Sequence, residues 1–216
     1  MKRGESRILS IALGLAGVAV LCAAPAGAFG MATFADPTVG QTSVTPMFVA
    51  SSGTITGGYT GTNLNLELDE YAGAHAGSYS NVIFEFDPLT YTGTYLNGSV
   101  NGGEFRFYLR DTSKADQKGD EIFSISFDSA YLSRSSLGAD NIFSDTGVTF
   151  AVYGQPLDLD EESFSFSFAN QTLVPNKTNP TGFSATAAMA ASATPEPATL
   201  SILLLGIPLL GIRRGR

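Results

Sequence analysis

Carboxylates are the most numerous ionisable side chains in this 216-residue chain. The densest group is Asp158, Asp160, Glu161 and Glu162, with looser groups at Asp69-Glu70 and at Asp116, Asp120 and Glu121. Clustered carboxylates suit a calcium ion, which takes roughly six to eight oxygen ligands. The spacing at 158–162 lacks the turn glycine of an EF-hand loop, so a solvated acidic turn is the competing reading. Two carboxylates facing each other across a cleft would also suit glycoside hydrolysis. Solvated loop acids are far commoner, and no catalytic pair is assigned.

Tyr91 and Tyr95 share one face of the run Leu89-Thr90-Tyr91-Thr92-Gly93-Thr94-Tyr95. Such a face either stacks on sugar rings, with the threonine hydroxyls as hydrogen-bonding partners, or turns into the core. The single histidine, His75, lies in the small-residue stretch Ala72-Gly73-Ala74-His75-Ala76-Gly77 and is expected in a loop. One histidine cannot complete a His-Glu-x-x-His site, and one cysteine cannot complete Cys-x-x-Cys. There is no Gly-x-Ser-x-Gly elbow, no pair of glycines two apart and no Gly-Lys pair, which excludes the common nucleophile and phosphate-loop motifs. The expectation is a protein that is not an enzyme and has no cofactor, with calcium the one ion considered.

The elements that would carry these residues read as antiparallel strands. Leu64, Leu66 and Leu68 alternate with polar residues, as do Phe105, Phe107 and Leu109, and Phe123, Ile125 and Phe127. The same holds for Val148, Phe150 and Val152, for Phe164, Phe166 and Phe168, and in looser form for Val82, Phe84 and Phe86. Period-two alternation puts one face inward and one outward. Turn residues separate the runs, as at Asp87-Pro88, Asn97-Gly98 and Lys118-Gly119-Asp120. Weaker strands are expected near 47–50, 53–60, 89–96 and 183–189. The fold class expected is all-β, an antiparallel β-sandwich or jelly-roll-like ectodomain over residues 29–186. Residues 187–194, rich in alanine and serine, read as a linker. All 15 Phe lie between Phe29 and Phe183, which suggests a phenylalanine core.

The two ends differ from this middle. Lys2, Arg3 and Arg7 precede an apolar run from Ile8 to Ala24, and Ala26-Gly27-Ala28 has the small-x-small pattern of a cleavage site. Residues 1–28 therefore read as a secretory signal peptide, to be removed by the secretion machinery. The only cysteine, Cys22, falls inside it, so the exported chain would hold no disulfide. At the other end Ala198–Ile212 is apolar and is followed by Arg213, Arg214 and Arg216. It reads as a transmembrane segment, short of the ~20 residues that span comfortably, with the arginines as a cytoplasmic stop. Between the ends, residues 29–194 carry 6 Lys/Arg and 18 Asp/Glu, a net of 6 − 18 = −12. That charge repels phosphate backbones and argues against nucleic acid as a partner.

Pro195-Glu196-Pro197, the short apolar segment and the terminal arginines together resemble the PEP-CTERM sorting signal of exported bacterial surface proteins. The likeness covers 195–216, about a tenth of the chain, and Thr194 stands where the family often has valine. It implies recognition by an exosortase, a membrane protease. It implies a chain anchored in the membrane before processing and then placed at the cell surface or outside. It also implies association with exopolysaccharide or biofilm material. A carbohydrate-binding module, with or without calcium, is the alternative reading of the middle.

Overall fold

The computed structural model describes residues 29–39, 45–134, 140–144, 147–175 and 180–194. The expected signal peptide, the Pro195-Glu196-Pro197 motif, the 198–212 segment and Arg213, Arg214 and Arg216 lie outside these residues. Among those described, no helix is long and apolar enough to cross a membrane.

The described unit is an antiparallel β structure. The first strands are β1 (Phe29–Phe34), β2 (Phe48–Ser51), β3 (Thr54–Gly57), β4 (Leu66–Leu68) and β5 (Gly77–Tyr79). Then come β6 (Ile83–Phe86), β7 (Leu89–Thr94), β8 (Asn97–Arg110) and β9 (Lys118–Arg134). The last are β10 (Asp140–Ser144), β11 (Thr149–Val152), β12 (Gln155–Pro156), β13 (Asp160–Val174) and β14 (Gly182–Thr194). His75 is not in a loop. It ends a short 3-10 helix, Glu70–His75, whose first amide is capped by the Asp69 carboxylate at 2.6 Å.

The pairing follows the path β12-β11-β9-β10-β13-β14-β2-β3-β7-β8-β6, and a further β8–β9 pairing joins the path back on itself. The strands from β9 through β10, β13, β14, β2, β3 and β7 to β8 thus close a ring. The long strands make this possible by changing partner along their length. β8 pairs β7 through Asn97–Val100 and β6 through Phe105–Tyr108. β9 pairs β11 through Phe123–Ser126 and β10 through Tyr131–Arg134. β14 pairs β2 through Gly182–Ala185 and β1 through Met189–Ala193. The ring pairs its own strands on both sides, which leaves β5, β6 and β12 as the strands at the ends of the pairing.

The alternations read from the sequence face the interior as expected. Leu64, Leu66, Phe105, Phe107, Phe123, Ile125, Phe150 and Phe166 are fully buried, and only Leu109 is left half-exposed. Their rings interlock: Phe166 lies 4.8 Å from Phe105 and 5.0 Å from Phe48, centre to centre, and Phe84 lies 5.1 Å from Phe107. Each fully buried Phe contributes roughly 1.5–3 kcal/mol relative to exposure, so this cluster dominates the apolar driving force.

Residues 187–194 are not a linker. They form the second half of β14, and Ala187, Met189, Ala191 and Ala193 are buried at 3% exposure or less. The compact unit accordingly runs from Phe29 to Ala193 rather than ending at 186. Composition misled here because small side chains are the ones that fit opposite a phenylalanine core. Gly182 has the same origin: a Cβ there would lie 1.8 Å from the Ala50 carbonyl oxygen, so β14 can approach β2 only without a side chain.

Candidate functional site

Of the acidic group at 158–162, the described side chains of Asp158, Glu161 and Glu162 are not drawn together. Asp158 is exposed, and Asp160 opens β13 with its side chain outside the described residues. Glu161 is exposed and has φ 48°, while Glu162 is half-buried and turned elsewhere. The Glu162 carboxylate accepts the Phe150 amide at 2.9 Å. Burial pushes its carboxyl above the usual glutamate range, and that hydrogen bond partly opposes the shift. Among the described residues no three acidic, histidine or cysteine side chains are grouped to hold a metal.

The tyrosine face turns inward. Tyr91 is 7% exposed and belongs to the core, and Tyr95 is half-buried with its ring 6.4 Å from Phe183. The outward residues of β7 are Thr90, Thr92 and Thr94, so of the two readings of the Tyr91 and Tyr95 face the core-facing one holds for Tyr91, and sugar stacking is not available to it. Period-two alternation identified the shared face but not which side of the sheet it met. His75 stacks on Tyr153 at 4.3 Å, and its carbonyl accepts the Tyr79 hydroxyl at 2.7 Å.

The structure gathers charges elsewhere, on the outer face of β6, β8 and β9. Register places Glu85 opposite Arg106, Tyr108 opposite Glu121 and Arg110 opposite Lys118. Lys118 Nζ donates to both Glu85 oxygens at 2.9 and 3.0 Å and sits 5.3 Å from the centre of the Tyr108 ring. Arg106 pairs with Glu104 and reaches Asp87 at 3.7 Å. Burial, then the negative charges of Glu85 and Glu121, pushes the Tyr108 hydroxyl up to about 12. Pairing with Glu85 holds the Lys118 ammonium above its ordinary value, and pairing with Glu104 does the same for Arg106. Arg106, Tyr108 and Arg110 were already legible as the outward alternates of β8, but their partners come from distant sequence.

Arg110 leads from this ladder to a cavity. Its Nη2 donates to the Thr60 and Gly61 carbonyls at 2.5 and 2.7 Å, which pins the crossing from β3 to β4. Tyr59 and Phe84 exchange main-chain hydrogen bonds at 2.6 and 2.9 Å just before that point. The segment borders a cavity of about 710 Å³, lined by Thr60, Thr62, Asn63 and Glu85 among others. A second cavity of about 520 Å³ lies against Asn65, Glu67, Ser78 and Ser80. A third, of about 240 Å³, lies against Glu67, Asp69, Gly77 and Ser78. Hydroxyls, amides and carboxylates in this arrangement can exchange hydrogen bonds with a polar ligand.

The chain matches no protein-family model, no curated protein and no solved structure.

Proposed function

We propose that this is an exported surface protein that an exosortase delivers to the cell surface or extracellular matrix. In this reading it has a structural or interaction role in exopolysaccharide or biofilm material, and its described unit is a β-sandwich or jelly-roll-like ectodomain. The observation that carries the reading is the three-part C-terminal pattern: Pro195-Glu196-Pro197, the apolar run Ala198–Ile212, and Arg213, Arg214 and Arg216. Each part has its own physical task. The apolar run favours the bilayer, the arginines resist translocation, and the tripeptide presents a sequence for a protease to read. The signal peptide expected over residues 1–28 supplies the matching start. Positive charge at both ends places the acidic middle outside.

Two further features fit this reading. Residues 29–194 hold no cysteine, so the unit does not depend on an oxidising compartment for its stability. A net of 6 − 18 = −12 over the same residues keeps an exported domain dispersed and away from nucleic acid.

Mutation separates the two tasks of the tail. Replacing Pro195, Glu196 and Pro197 by alanine is expected to leave export and membrane insertion intact and to block processing, so a longer membrane-bound form accumulates. Deleting residues 198–216 is expected to release the ectodomain as a soluble exported protein. Mass spectrometry of the C-terminus in a host that contains an exosortase is the measurement. Mature protein that still ends at Arg216 throughout would reduce the tail to a plain membrane anchor.

A further inference from the structure

The three cavities share one stretch of chain, the segment 57–69 that leaves β3 and becomes β4. Leu64 and Leu66 are fully buried and Leu68 is 4% exposed, so the alternate residues Asn63, Asn65, Glu67 and Asp69 all face solvent. The alternation that builds the core on one side therefore lays a polar track on the other. From residue 63 to residue 69 an extended chain covers roughly 20 Å. The first cavity opens at Thr60, Thr62 and Asn63, the second at Asn65, and Glu67 and Ser78 border both the second and the third.

We propose that this track binds an uncharged polysaccharide chain lying along the outer side of β4. Thr60, Thr62, Asn63, Asn65 and Ser78 supply neutral donors and acceptors, and Glu67 and Asp69 add carboxylate acceptors, a mixture that a run of sugar hydroxyls can meet. Glu85 is neutralised by Lys118, while Glu67, whose Oε1 accepts the Ser78 hydroxyl at 3.3 Å, and Asp69 keep their negative charge. Among the described residues no lysine or arginine lines any of the three cavities, so an anionic polymer would meet only like charge.

The track is also held rigid before any ligand arrives. Arg110 fixes the carbonyls of Thr60 and Gly61, the Val82 amide donates to the Leu64 carbonyl at 2.9 Å, and β4 is paired on both sides by β1 and β5. A pre-ordered surface loses little entropy on binding, which matters where each sugar contact is weak. No exposed aromatic platform lines the cavities, since Tyr59 is 6% exposed, so affinity would rest on hydrogen bonds and fall in the millimolar range.

This site is independent of the sorting proposal: it is tested on purified exported protein, whatever route delivered it. Saturation-transfer NMR with cellohexaose, maltohexaose, chitohexaose and hexagalacturonate is the experiment. Binding is expected for at least one of the three uncharged oligosaccharides and not for hexagalacturonate. The double variant Asn63→Ala, Asn65→Ala changes only exposed side chains and is expected to keep its melting temperature while losing affinity about tenfold. No transfer to any uncharged hexasaccharide, binding of hexagalacturonate alone, or binding that the double variant leaves unchanged would each overturn the proposal.

Discussion

Tyr108 shows how a single side chain records its surroundings. It stands on the outer face of β8, yet the neighbouring strands cover part of its ring, and Glu85 and Glu121 lie close enough to disfavour a second negative charge. Its hydroxyl is therefore held up to about 12 against an ordinary value near 10. The folded state keeps this proton more tightly than the unfolded chain does. The resulting stabilisation is complete below about pH 10 and is lost as pH rises from 10 through 12. The raised Lys118 ammonium acts in the same direction at alkaline pH. Phenolate absorbance of the folded protein is expected to keep a component near pH 12, and Tyr108→Phe is expected to remove it. A titration of the wild type with no such late component would show that the phenol is better solvated than the structure has it.

At the scale of elements, β14 is the clearest case of structure built from small residues. Its inward positions are Phe183, Ala185, Ala187, Met189, Ala191 and Ala193, all at 3% exposure or less. Opposite them stand the rings of β1, β2 and β13, including Phe168, 5.4 Å from Phe183. The alanines leave room for those rings, so larger residues would be forced into filled space. Ala187→Leu is expected to cost about 1–3 kcal/mol, read as a lowered denaturant midpoint at unchanged slope. A leucine at an exposed spacer position would change nothing measurable, so an unaltered midpoint would return 187–194 to the role of a linker.

For the whole molecule the balance of charge decides. Salt bridges on the described surface join Arg106 to Asp87 and Glu104, Lys114 to Asp111 and Lys118 to Glu85. Exposed pairs of this kind contribute about 0–1 kcal/mol each. Against them stands a net of 6 − 18 = −12 over residues 29–194, whose self-repulsion opposes the compact state. Raising the salt from about 0.01 M to about 1 M shortens the screening length from ~30 Å to ~3 Å and weakens both. The repulsion is the longer-ranged of the two, so the melting temperature is expected to rise with added sodium chloride. A fall would mean that the Glu85–Lys118 and Arg106 pairs outweigh the net charge.

Strand existence was legible in the sequence because alternation is a local property of the chain. Leu64–Leu66–Leu68, Phe123–Ile125–Phe127 and Phe164–Phe166–Phe168 needed no knowledge of their neighbours to be assigned an inward face. Where both faces offered plausible roles, as at Tyr91 and Tyr95, alternation could not say which face met the core. That choice depends on Phe183, which lies far away along the chain. The same limit explains β14, whose alanines look like spacer until the phenylalanines opposite them are known. It also explains the polar track: Asn63, Asn65 and Glu67 are ordinary surface residues in sequence. They border cavities only because β5, β6 and the Arg110 side chain are brought beside them. Patterning along the chain determined what each segment could bury, and tertiary pairing decided what each exposed side chain would face, because contacts between distant strands leave no periodic trace in either strand alone.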